Sequence, residues 1–186
     1  MEEINKNMSE EKPKKVYTLK NCLVGGGDRI ESCIIDSFLE IIVSLILTFS
    51  LWGIFKDQYT KHVVLYTLLI SASIAIINQT IIPIITKGKT IGKIIKNIKI
   101  ICDNGLEPTP LQLFGRSMIY VILPILIQVP YLGGLFSFAS LIIWIISLVF
   151  IFKDEFNQAI HDKMSGTIVV YDYMYRRYLD GKNQKN

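Results

Sequence analysis

The sequence predicts an all-α integral membrane protein with four transmembrane helices arranged as two hairpins. An amphipathic cytoplasmic loop joins the hairpins, and a short cytoplasmic β-ribbon completes the fold. Three observations carry this reading. Of the 186 residues, 51% are hydrophobic, and the mean hydropathy of +0.39 is too apolar for a soluble domain of this length. Apolar stretches long enough to cross a hydrocarbon core of about 30 Å occupy residues 34–55, 63–85, 111–129 and 135–152. Of the 20 lysines and arginines, only Lys56 and Lys61 lie between the first two stretches, and the turn between the last two carries none. That positive-inside asymmetry describes a multi-pass protein of the cell membrane with both termini in the cytoplasm.

Residues 1–23 read as a mobile cytoplasmic tail, with Glu and Lys in comparable number and little periodicity. No apolar run precedes a small-residue cleavage site, so the first helix is expected to insert uncleaved. The basic run from Lys12 to Lys20 offers contacts to anionic lipid head groups. The membrane domain then covers 24–170. Gly25, Gly26 and Gly27 break the chain, and Asp28 with Glu31 three residues later resembles a capping arrangement that opens a helix. The glycines lack the Lys-Ser/Thr of a phosphate loop.

Asp36 and Glu40 are the only charges of the first span. With Arg29 they share one helix face, because separations of seven and four residues return to the same side at about 100° per residue. A carboxylate in this position costs about 2.5–3.5 kcal/mol on insertion scales, so it is expected to face a polar cavity or a partner charge. Two roles fit Asp36: an anchor paired with a basic neighbour near the boundary, or a member of an ion pathway. Glu40 lies one turn deeper, about 6 Å, and is harder to explain as an anchor.

The second span is interrupted by Asn78, Gln79 and Pro83, and Thr67, Ser71 and Asn78 share a face. Helix–helix hydrogen bonding explains such groups, and the carboxylate face of the first span makes Asn78 a candidate pathway residue. In the following loop Lys87, Lys89, Lys93, Lys96 and Lys99 alternate with isoleucines. The spacing of Ile91, Ile94, Ile95 and Ile98 predicts an amphipathic helix lying in the interface. Lys99–Cys102 reads as extended, Asp103-Asn104-Gly105 as a turn, and Thr109-Pro110-Leu111-Gln112 as the start of the third span, which carries Arg116. Ser140 and Ser147 align on the fourth span. Past it, a helical run to Met164 precedes Gly166 and a strand over Thr167–Tyr173, suited to pair with Lys99–Cys102. Residues 171–186 form a C-terminal cytoplasmic tail whose tyrosines and arginines suit a membrane interface.

Cys22, Cys33, Cys102, His62 and His161 show no metal-ligand or disulfide spacing, so neither a metal nor a cofactor is expected. No nucleophile stands beside a base, and no nucleic-acid module is recognisable. The sequence therefore does not read as an enzyme or a nucleic-acid binder.

Three pieces in register resemble the RDD family of bacterial and archaeal membrane proteins, named for an arginine and two aspartates. The first helix offers Arg29 and Asp36; the loop offers Gly88, Thr90, Gly92 and Lys93, with Arg116 following; the tail offers His161, Asp162, Gly166 and Thr167. The resemblance covers roughly Val24 to Val170. Asn97 stands where a glycine is common, Ser32 where alanine is usual, and Glu40 matches no motif position. The resemblance implies a membrane transporter, and the residues allow monovalent cation/proton antiport, with Asp36 or Glu40 binding a proton and a cation in turn and Arg116 as counter-ion. Four helices make a thin wall for a pathway, which suggests a homo-oligomer. The alternative is a non-transporting scaffold or accessory subunit in which Arg29, Asp36, Arg116 and Asp162 form a structural network.

Overall fold

A computed structural model describes residues 18–56, 62–127 and 131–183. Helix α1 runs Gly26–Ile54, 29 residues, or roughly 43 Å at about 1.5 Å per residue. It is longer than a hydrocarbon core is thick. Its buried residues are Arg29, Ser32 and Asp36, whereas Phe38, Leu45, Phe49 and Trp52 further along are exposed. Gly25 caps the helix without a side-chain bond, so the expected Asp28–Glu31 box is not formed. Asp28 is engaged elsewhere, with Lys96 at 2.9 Å and as acceptor from the Tyr171 hydroxyl.

The second rod starts as α2, Val63–Ile76, passes through a π-helical turn, Ile77–Ile81, and ends as α3, Ile82–Ile85. Pro83 supplies no N–H to the ladder, and the widened turn just before it carries Asn78 and Gln79. After a turn at Lys87 and Gly88, the loop forms α4, Ile91–Ile95, and then β1, Ile98–Cys102. This corrects the expected interfacial helix. Only five residues are helical, Lys93 is buried rather than facing water, and Ile98 belongs to a strand with no exposure. The break falls at Asn97, whose φ of 53° is left-handed, a conformation glycine or asparagine accepts.

Helix α5, Pro110–Ile127, opens with the reciprocal cap expected of Thr109 and Gln112, each side chain accepting from the other's backbone N–H at 2.9 and 3.3 Å. Helix α6, Gly133–Lys153, leads to α7, Ile160–Ser165, and β2, Thr167–Tyr171. The strands pair antiparallel, Ile98 opposite Tyr171 and Cys102 opposite Thr167, as the sequence suggested. β2 stops at Tyr171, two residues early, because α8 begins at Asp172.

The expected mobile N-terminal tail needs correction where it is described. A 3-10 turn at Leu19–Cys22 and a bridge from Leu23 to Val170 tie the N-terminal segment to the ribbon, and α8, Asp172–Asn183, packs over that turn. Cys22, Ile101, Ile168, Val170 and Tyr175 make one core beside the ribbon; Val24, Ile98, Ile100, Leu113 and Val169 make another. Burial on both sides explains why the ribbon reads as near-continuous isoleucine and valine. Residues 1–17 and 184–186, with residues 57–61 of the turn expected at Lys56–His62 and Pro130 of the turn expected at Pro130–Gly134, lie outside the described residues; Gly133 and Gly134 of the latter open α6.

Three described helices are long and apolar enough to cross a membrane: Gly26–Ile54, Leu65–Ile85 and Gly133–Lys153. They fit a membrane protein. α5 is not among them. α1 packs on α2 and α4, α2 on α5, and α5 on α6 and α7. At the ribbon end α1 also meets α6, where Gly26 faces the Phe152 ring.

Candidate functional site

The site grows from the buried face of α1. Asp36, 2% exposed, is bound by the turn that opens α4. Thr90 Oγ1 donates to Asp36 Oδ2 at 2.6 Å, and Gly92 N donates to Oδ1 at 2.7 Å. Thr90 is also the N-cap of α4, its hydroxyl oxygen accepting from Lys93 N. Gly92 is required by closeness: a Cβ there would overlap the Ser32 carbonyl oxygen and lie 2.9 Å from Asp36 Cγ. Gly88, with φ of 107°, makes the turn that presents this segment, since its amide reaches Pro83 O and its carbonyl accepts from Ile100 N. Lys93 Nζ stands 4.0 Å from Asp36 Oδ2. Burial pulls the Lys93 ammonium below its ordinary pKa, while the Asp36 charge works against that shift. Asp36 is thus a buried acid with its own buried base.

The π-helical turn supplies the third partner. Asn78 Nδ2 lies 3.0 Å from Asp36 Oδ1 and 2.9 Å from Glu40 Oε1. Asn78 Oδ1 accepts from Ile91 N at 3.3 Å. One amide therefore joins Asp36 and Glu40 of α1 to the start of α4. Gln79 Nε2 adds a second bond to Glu40 Oε1 at 2.9 Å. Among the described residues, Glu40 Oε2 accepts no hydrogen bond.

A second centre lies at the ribbon end. Asp162, fully buried, receives the guanidinium of Arg29 on one oxygen and that of Arg116 on the other, with Ala159 N donating at 3.0 Å. Arg29 also donates to Asn157 O, and Arg116 to Thr167 Oγ1 at 3.3 Å. The two arginines hold the Asp162 carboxyl below the usual carboxylate range, against its burial. His161 Nε2 lies 3.6 Å from Asp162 Oδ1. Burial drives its pKa down to about 3, the Asp162 charge opposing and the nearby cations assisting, so the imidazole is neutral at pH 7. Arg116, expected as the Asp36 counter-ion, belongs to Asp162 instead; Lys93 takes the place beside Asp36.

Between α1, α5 and α6 lies an open cavity of about 530 Å³. Arg29, Ser32, Lys93, Arg116 and His161 line it, with Glu40, Ser37, Ser140 and Ser147 also on its wall. The remaining wall is mostly hydrocarbon and aromatic, including Phe38, Ile41, Leu123, Trp144 and Leu148.

Every candidate residue except Gly88, Gly92 and Gly166 therefore lines the cavity or bonds to a residue that does. Gly166 ends α7 in a left-handed conformation. Sequence reasoning missed Gln79, whose amide beside Asn78 was a visible signal, and the 2.6 Å Thr80–Ser117 hydroxyl pair between α2's extension and α5. It also missed Asn157, whose Nδ2 donates to Val24 O at 3.0 Å and which no local pattern marks. All three cysteines are free, and among the described residues no metal-holding cluster occurs. A family model, that of the RDD family, matches residues 23–166. No curated protein and no solved structure matches the chain.

Proposed function

The chain belongs to the RDD family, and from that premise we propose that it is a membrane transporter that exchanges a monovalent cation for a proton, with Glu40 as the exchanging carboxylate. One observation carries this: Glu40 lines an open cavity and commits a single oxygen, Oε1, to Asn78 and Gln79. An acid among apolar helices with one oxygen uncommitted can take a proton or a cation there without dismantling its support. Asp36 is a positioning residue in this reading. Its bonds to Thr90, Gly92 and Asn78 tie the loop to α1 and leave it poorly placed to release a partner.

The topology proposed with this function has four spans, α5 being the fourth despite Arg116, which points its charge to Asp162 at the ribbon end. With 18 of the 20 basic residues lying in sequence outside the segment between the first two spans, the ribbon end lies in the cytoplasm of a multi-pass cell-membrane protein. The exposed lysines of that end meet anionic lipids, and the protein works as a homo-oligomer whose contacts leave the cavity's open side to the membrane. The chain needs no cofactor and catalyses no covalent step.

The buried Arg29–Asp162–Arg116 network favours a second reading, a non-transporting scaffold. Vesicles reconstituted with the purified protein separate the two. Cation-driven proton movement that is abolished by Glu40→Gln is the expected result. No movement with any monovalent cation, from protein that melts cooperatively, would move the assignment to the scaffold.

A further inference from the structure

The cavity is better suited to one kind of monovalent cation than another. A small ion such as sodium is strongly hydrated, and a site that strips its water must return a shell of oxygens. Here the oxygens are sparse. Ser32 lies at the basic end beside Arg29 and Lys93, and Glu40, Ser37, Ser140 and Ser147 are spread over α1 and α6 among Ile, Leu, Phe and Trp. A volume of about 530 Å³ falls in the range of about 300–1,000 Å³ typical of sites for organic ligands.

Charge along the cavity also differs from end to end. Arg29, Arg116 and Lys93 mark the ribbon end, held by Asp162 and Asp36. Glu40 lies eleven residues along α1 from Arg29, roughly 16 Å at about 1.5 Å per residue. The basic end repels a cation, and the Glu40 end attracts one. Phe38 and Trp144 line the same cavity and are exposed at its open side, offering ring faces of the sort that stabilise weakly hydrated cations.

We propose that this cavity binds an amphipathic organic monocation, its charge set against Glu40 and its apolar body against the Phe38 and Trp144 rings and the aliphatic walls of α1, α5 and α6. The assignment rests on the transport reading for its purpose and names the substrate class of the same site. A bulky, delocalised charge gives up little hydration on entering hydrocarbon, so Glu40 and two rings suffice where sodium would need a shell. Entry is from the membrane, through the open side, since an amphipathic cation concentrates there.

Equilibrium dialysis of tetraphenylphosphonium against the full-length protein in nanodiscs of zwitterionic phospholipid tests this directly. Saturable binding is expected, indifferent to excess sodium. Glu40→Gln should weaken it by at least about tenfold, and Trp144→Ala by about threefold to tenfold, both with unchanged melting. Equal binding by Glu40→Gln, no saturable binding by folded wild type, or binding of a fatty-acid anion in place of the phosphonium would overturn the proposal. The two readings fail separately. Sodium-coupled proton flux without phosphonium binding would overturn the organic-cation assignment alone, whereas Glu40-dependent binding without coupled flux of any cation would keep the site and remove the transporter.

Discussion

Two carboxylates divide the molecule. Asp162 has no exposure, and each of its oxygens faces a guanidinium; Glu40 is half-buried, with one oxygen bound by two amides and the other uncommitted. They differ in what surrounds them rather than in their own chemistry. Around Asp162 converge α1, α5, α7 and the segment before α7, elements far apart in sequence. Among the described residues, hydrogen bonds reach Glu40 from the π-helical turn alone, and Glu40 also lines the open cavity. A saturated buried acid holds a fold together, because every exchange of partner strands another charge. A half-committed acid on a cavity wall can change partners without that penalty.

Removing the saturated acid breaks the comparison most severely. Asp162→Asn leaves two buried guanidiniums against a neutral amide, and loss of one member of a buried ionic group costs about 3–5 kcal/mol. The expected outcome is a large fall in melting temperature in detergent, or failure to recover folded protein. A variant that melts like wild type would mean that Arg29 and Arg116 reach water or another acid.

Asp36 stands between the extremes, buried like Asp162 but supported by neutral donors as well as by Lys93. Asp36→Asn keeps an acceptor for Gly92 N and loses the charge-assisted bonds, which are worth about 1.5–3 kcal/mol. Thermal unfolding should show a smaller loss than for Asp162→Asn. Selective deprotection of the Thr90–Lys93 turn in hydrogen exchange would place the loss at the α1–α4 contact.

How much of this was legible depended on whether a residue's partner was local. The shared face of Arg29, Asp36 and Glu40, the Thr109–Gln112 cap and the ribbon followed from spacing alone, because helix and strand periods fix which residues share a side. The partnerships did not follow. Arg29, Asp36, Arg116 and Asp162 permit several pairings, and sequence cannot tell that Lys93 turns inward while Lys96 reaches Asp28 and Glu31. That choice is made at Gly92, where the missing Cβ lets α4 close on α1. The ordered ends were hidden for a related reason: Cys22 and Tyr175 read as isolated residues until the ribbon brings them into one core.

His161 tests the saturated centre by pH. Its folded pKa of about 3 lies below the ordinary 6.5, so between those values the unfolded chain binds a proton that the folded chain refuses. Stability therefore falls as the pH falls through that window, by up to about 2 kcal/mol near pH 5. Asp162, with its own pKa depressed from 3.8, adds a further loss only below about pH 4. Melting temperatures from pH 7.5 to 5 should decline in wild type and flatten in His161→Gln. An equal decline in both would assign the acid sensitivity to another group.

The smallest expected effect on stability is at Glu40, and its smallness carries the comparison. Glu40→Gln preserves an Oε1 acceptor for Asn78 and Gln79 and removes a charge that no described cation contacts, so the cost should stay below about 1 kcal/mol. A larger loss would show that the charge holds the π-helical turn in place, making Glu40 a structural acid of the same kind as Asp162. A change that leaves melting intact and removes cation-coupled proton movement would separate the two carboxylates by function as well as by environment. The reason is physical: energy released by a bond that never breaks goes into stability, and only a group whose bonds are incomplete in the resting fold can lend its charge to a passing ion.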